Sequence, residues 1–153
     1  MSTRNVLAIL LLAAAIAACS AKKKPGEPQA SAGASAATAA AATASDAAAE
    51  VGARIYSGNC VPCHQQTGMG IAGVYPSLAG SPVVLGDPAQ LAQWVIKGQR
   101  PPSMPAGRYP TQMLQFGWMK PADAAALFSY LRSNFGNTAA PVDAAAVSKA
   151  LAQ

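Results

Sequence analysis

The chain has 153 residues, room for one domain once its low-complexity stretch is set aside. Hydrophobic residues make up 52% of it, charged residues 11%, and the formal net charge is +5. That charge comes without a basic stripe interleaved with aromatics, which excludes a nucleic-acid-binding signature. Three Cys and a single His exclude a zinc site closed by two Cys/His pairs.

At the N-terminus, Arg4 precedes a 13-residue apolar run from Val6 to Ala18. The run is too short to span a bilayer and suits the core of a secretory signal peptide over residues 1–18. It ends in Ile16-Ala17-Ala18-Cys19, which resembles a bacterial lipoprotein cleavage box. On that reading Cys19 is the first mature residue and carries the lipid. The alternative is an ordinary signal peptide cut after an Ala-x-Ala triplet, with Cys19 lost or free. Lys22, Lys23 and Lys24 then lie where they meet anionic headgroups. Residues 19–46 read as a lipid-anchored, Ala-rich flexible linker. From Ala30 to Glu50, 13 of 21 residues are Ala, and no aromatic or large aliphatic side chain is present to bury. As a coil it spans about 30 Å, although Ala also favours transient helix.

The folded domain is expected over 47–137. A first helix begins near Ala47 with Asp46 as N-cap and runs to about Ser57, with Val51, Ile55 and Tyr56 on its apolar face. The stretch from Gln65 to Gly86 is rich in Gly and Pro and reads as ordered loop. Asp87-Pro88 opens a short helix bearing Leu91, Trp94 and Val95, which stops near Gly98. Gln99 to Gly117 carries four Pro and reads as irregular. Pro121 starts the last clear helix, with Leu127, Tyr130, Leu131 and Phe135 on its buried face and Gly136 as its stop. A tail over 138–153 has the composition for a short helix between Pro141 and Leu151. No segment shows clean strand alternation.

Cys60-Val61-Pro62-Cys63-His64 carries the chemistry. Two thiols three positions apart suit the two vinyl groups along one haem edge, and the adjacent His reaches the iron, so the motif reads as covalent haem attachment. A redox dithiol and half of a zinc site are the competing readings. The first needs an alternating α/β pattern, which is absent; the second needs further ligands. With Cys60 and Cys63 bonded to haem and Cys19 lipidated, the odd cysteine count of an exported chain leaves no free thiol.

His64 is the only His, so the sixth iron ligand is a Met, a Lys or an open position. Met69 follows His64 too closely to reach the far face of the ring. Met104 and Met113 lie in the irregular segment, and Met119 lies just beyond it.

These features resemble the class I c-type cytochromes over about Glu50 to Asn137. Gly52 and Tyr56 fall where that family's N-terminal helix meets its C-terminal helix, and Tyr130-Leu131-Arg132 matches the aromatic-Leu-basic run of the latter. The resemblance implies an all-α class I cytochrome c fold, about three to five short helices around one covalent haem c. It also implies that Pro76 offers its carbonyl to the second ring nitrogen of His64, that Leu78 packs on the haem, and that Met113 is the distal ligand. Met104-Pro105 is the second choice, and Met119 or an open site the third. Met113 to Trp118 is similar to the Met-Pro-x-Phe-Gly-Trp run of small dehydrogenase-associated cytochromes, with Leu114 in place of Pro. Trp94 and Trp118 are expected to pack around the haem edge. Tyr109 is a further residue for the propionates, and Arg100 and Arg108 are expected to be solvated.

The function implied is electron transfer, not catalysis: a monomeric, membrane-tethered carrier on the periplasmic side of a bacterial membrane, inner or outer. Its donor would be a dehydrogenase or respiratory complex and its acceptor a terminal oxidase or reductase. The alternatives are a fixed cytochrome subunit of a periplasmic dehydrogenase and a haem enzyme or gas-binding module with an open sixth position.

Overall fold

The computed structural model describes residues 32–153, with side chains from Ser45 onward. The expected signal peptide over 1–18, Cys19 and Lys22–Lys24 lie outside the described residues. The rest is helical: α1 (Ala32–Asn59), α2 (Val61–His64), α3 (Pro82–Leu85), α4 (Pro88–Lys97), α5 (Pro121–Ser133) and α6 (Ala144–Leu151). Among the described residues the only β pairing is an isolated bridge between Ile71 and Tyr75. The architecture is the expected all-α one, with two single-turn helices, α2 and α3, added to the longer elements.

The first helix begins earlier than expected. It runs back to Ala32, through the segment assigned to the linker, and Asp46 sits inside it and not at its cap. Alanine has the highest helix propensity, and nothing between Ala32 and Ala47 breaks the backbone pattern, so propagation from the packed half extends the helix. Residues 45–50 are all exposed.

α1 and α5 form the central crossing. At Gly52 a Cβ atom would run into the Ala126 carbonyl oxygen and lie 2.8 Å from Tyr130 Cβ. The backbones meet there because neither a side chain nor a turn intervenes. Gly52→Val is therefore expected to destabilise the domain by about 3 kcal/mol through overpacking. Denaturant unfolding of the two proteins measures this.

α4 starts as the sequence indicates. Asp87 accepts a hydrogen bond from the Ala89 amide at 2.9 Å, Pro88 occupies the first turn, and Gly98 ends the helix in the left-handed region at φ 70°. The end of α5 differs from expectation. The helix stops at Ser133, Asn134 is extended, and Phe135, expected on the helical face, lies beyond it at φ 60°. Its ring instead folds back onto Tyr56, 5.0 Å between centroids, and Tyr130, 5.8 Å. That aromatic cluster offsets the cost of a left-handed non-glycine residue. Phe128, which the periodic reading omitted, is the largest fully buried side chain of α5.

The tail is part of the domain. α6 packs on both α4 and α5 and buries Val142, Val147 and Ala150. Asp143 caps it by accepting from the Ala145 amide at 2.6 Å. The boundary at residue 137 therefore divides elements that share one core.

Candidate functional site: an apolar cleft behind the Cys-x-x-Cys-His turn

The motif sits on a helical turn that continues α1. The Cys60 amide donates to the Tyr56 carbonyl at 2.9 Å and the His64 amide to the Cys60 carbonyl at 2.8 Å. Positions i, i+3 and i+4 of such a turn share one face, so Cys60, Cys63 and His64 project together. All three line a cleft of about 550 Å³.

The chain then reverses on Gln65, at φ 63°. The buried Tyr56 hydroxyl donates to the Gln65 carbonyl at 2.5 Å and holds this turn. Burial pushes the Tyr56 phenol up to about 12 from its ordinary 10.0, with smaller contributions from Cys60 and Tyr130. Folding thus favours the protonated phenol. Its contribution to stability is complete below pH 10.0 and is lost as the pH rises through about 12. An ultraviolet titration is expected to show a phenolate step near pH 12 that Tyr56→Phe removes.

The loop next returns Pro76 to the histidine. The Gly70 amide donates to the His64 carbonyl at 2.9 Å and the Leu78 amide to the Gly68 carbonyl at 2.7 Å. Gly70 has φ 65°, and a Cβ there would strike the Tyr75 and Pro76 carbonyl oxygens. With that space open, the Pro76 carbonyl lies 3.0 Å from His64 Nδ1. A carbonyl only accepts, so Nδ1 carries the proton and Nε2 keeps a lone pair for a metal. Burial lowers the His64 pKa below its ordinary value, and the Pro76 bond opposes this in part. Both features keep the ring neutral and fixed, as a metal ligand requires.

Asn137 is the residue that sequence reasoning missed here. Buried at the end of α5, it accepts from the Gly80 amide at 2.9 Å and donates to the Leu78 carbonyl at 3.1 Å and the Leu131 carbonyl at 2.8 Å. It ties the Leu78 segment to α5. A polar residue after a helix-ending Gly gives no hint that it is buried.

The inner part of the cleft is lined by Leu78, Val84, Leu91, Trp94, Leu127 and Leu131, and its wall is almost wholly apolar. Met104 and Met113 both face it, half-buried, together with His64. Their segments are held differently. The Phe116 amide donates to the Val95 carbonyl at 3.0 Å and so pins the Met113 segment to α4, whereas Met104 is held by a local turn to Pro101. Met119 is core, 4% exposed, and Met69 faces solvent. Trp94 lines the cleft as expected. Trp118 does not: it is 64% exposed, its ring edge-on to Phe116, in the turn closed by the Met119 amide on the Phe116 carbonyl at 2.9 Å. Arg100 is exposed as expected, with its guanidinium 5.3 Å from the Trp94 ring centroid. Arg108 is exposed beside Tyr109.

The donor set fits a covalently held haem and neither competitor. Among the described residues no group of three or more His, Cys, Asp or Glu side chains is placed to hold a metal ion, which argues against the zinc reading. Burial, with Cys63 adding to it, pushes the Cys60 thiol up to about 11. A redox dithiol needs its attacking thiol lowered. An apolar cleft lined by two thiols and a neutral imidazole is the chemistry that a haem linked through its vinyl groups requires.

Residues 49–135 match the family model described as Cytochrome c. Among curated proteins, the chain is 34% identical over 92 residues to the cytochrome c subunit of a quinone alcohol dehydrogenase from Gluconobacter oxydans, covering 58% of this chain and 19% of that protein. It is 33% identical over 109 residues to the corresponding subunits from Gluconacetobacter polyoxogenes and Komagataeibacter europaeus, covering 68% of this chain and 23% of each. The chain thus spans about a fifth of the length of these relatives. With the fold, the cleft and the family match in agreement, the chain belongs to the cytochrome c family: an electron-transfer protein that carries one covalent haem c.

Proposed function

We propose that this protein is a membrane-tethered electron carrier on the periplasmic side of a bacterial membrane, with Cys60 and Cys63 holding the haem and His64 and Met113 as its axial ligands. The observation that carries the reading is the 3.0 Å contact of His64 Nδ1 with the Pro76 carbonyl, inside a cleft that Met113 also lines. When bound, the haem supplies a one-electron ferric–ferrous couple, whose potential a thioether ligand raises. His64 presents a neutral nitrogen and is held in place by Pro76. Leu78, Trp94 and Leu127 keep water from the ring. Met113 would be the second protein ligand of that haem; its segment is anchored to α4 through the Phe116–Val95 hydrogen bond, which supports it over Met104. With both axial positions filled, no site remains for a substrate.

The names of the relatives support a dehydrogenase as the electron donor, and also support a second reading, a fixed cytochrome subunit of such a complex. Stopped-flow mixing of the reduced and oxidised domain with small redox reagents tests carrier function. Fast single-electron exchange, with carbon monoxide bound only slowly, is expected; rapid carbon monoxide binding would instead indicate an open-site module. Tethering rests on the Cys19 motif and the lysines after it. Cys19→Ser is expected to move the protein from the membrane fraction to the soluble periplasmic fraction.

A further inference from the structure

Among the described residues three polar or charged side chains are buried: His64, Asn137 and Arg132. The first two have been accounted for. Arg132 is 7% exposed. Its Nε donates to the Ala140 carbonyl at 2.7 Å, and its Nη1 donates to the carbonyls of Val84 at 2.7 Å and Gly86 at 2.9 Å. No carboxylate neutralises it: among the described residues the only ion pair is the exposed Arg54–Glu50. A guanidinium is charged at every working pH. Buried charges are ordinarily paired, because desolvating one alone is costly, so an unpaired one that the fold goes to the trouble of satisfying with three carbonyls invites a reason.

The tail completes the burial, adding the Ala140 carbonyl to those of Val84 and Gly86. Arg132 lies in the last turn of α5, where a cation complements the helix end. Beyond the family-matched stretch, which ends at 135, the chain doubles back over it. The Ala139 amide donates to the Arg132 carbonyl at 2.9 Å, and the Ser129 hydroxyl accepts from the Val142 amide at 2.9 Å. α6 then packs on α4 and α5.

The charge lies directly behind the cleft. Val84, whose carbonyl it holds, and Leu131, its chain neighbour, both line the inner wall with His64 and Met113. Both carry apolar side chains, and Arg132 itself is buried, so a fixed charge acts there more strongly than across water. Ferric iron carries one positive charge more than ferrous iron, and a nearby buried cation disfavours it. On the reading that the cleft holds haem, we infer that Arg132, enclosed by the 138–151 tail, is an electrostatic device that raises the reduction potential. No atom is transferred: one electron from a donor reduces ferric to ferrous iron, and the field of Arg132 shifts that equilibrium toward the reduced side.

Potentiometric titration of the haem-loaded full chain tests this with two variants. Arg132→Gln, neutral but still a donor, is expected to lower the midpoint potential. Arg132→Lys, which keeps the charge, is expected to restore most of it. The gap between wild type and Arg132→Gln is expected to persist as salt is raised, because a buried charge is poorly screened. Equal potentials for wild type and Arg132→Gln would overturn the inference, as would an equal loss in Arg132→Lys, which would point to packing alone. Should Arg132→Gln not hold its fold, the full chain with Arg132→Met, neutral and of similar length, takes its place. Its potential is expected to fall, and an unchanged value would overturn the inference. The visible and near-infrared spectra of the wild type report ligation separately, so a failed ligand assignment is seen there and not in the potential difference.

Discussion

Replacing both Cys60 and Cys63 by alanine is expected to leave a chain without a cooperative tertiary fold. The reason lies in how the core is built. Side chains from α3, α4 and α5, among them Val84, Leu91, Trp94, Leu127 and Leu131, line the cleft. Without the covalent group the apolar side chains that line it face water, and each large one left exposed forgoes about 1.5–3 kcal/mol. Domains of this size have about 5–15 kcal/mol of total stability. Exposure of a few of them therefore removes most of it. The near-ultraviolet circular dichroism of the double variant is expected to be featureless and its thermal melt broad. A sharp melt with wild-type tertiary signal would show that the polypeptide supports the slot alone.

Met113→Ala is expected to have the largest functional effect of any single substitution in the cleft outside the attachment motif. On the proposed ligation it removes the thioether that would favour ferrous iron, so the reduction potential is expected to fall. It also opens the iron, so carbon monoxide binds rapidly where the wild type binds it slowly. Met104→Ala is expected to change neither property greatly, since the Met104 segment is held by a local turn whereas the Met113 segment is pinned to α4 through Phe116 and Val95. If instead Met104→Ala loses the low-spin spectrum and Met113→Ala keeps it, the two methionines exchange roles and the Phe116 anchor is merely structural.

The chemistry of the site was legible because it is local. Cys60, Cys63 and His64 sit within one helical turn, and Asp87, Pro88 and Gly98 mark the bounds of α4 with capping chemistry that does not depend on the rest of the fold. The resemblance to the class I cytochromes supplied Pro76, and the geometry agrees at 3.0 Å. What escaped was non-local. Asn137 and Arg132 are polar residues whose burial depends on segments that arrive from 46 to 59 residues away. Phe135 looked helical by period, but the α5 terminus is decided by its stacking on Tyr56 and Tyr130 across the α1–α5 crossing. The start of α1 was placed by composition, which marks an Ala-rich run as poor in burial; backbone propensity extends the helix regardless. The tail was read as an appendage because Val142, Val147 and Ala150 are a weak apolar signal until α4 and α5 provide the face they cover.

The near-infrared absorption of the haem-loaded ferric protein at neutral pH tests the central claim most directly. On the proposed ligation by His64 and a methionine thioether, a weak sulfur-to-iron charge-transfer band together with a low-spin visible spectrum is expected. A high-spin spectrum without that band would contradict the account: the iron would be open, and the cleft would be a place for binding or chemistry and not a sealed conduit for electrons.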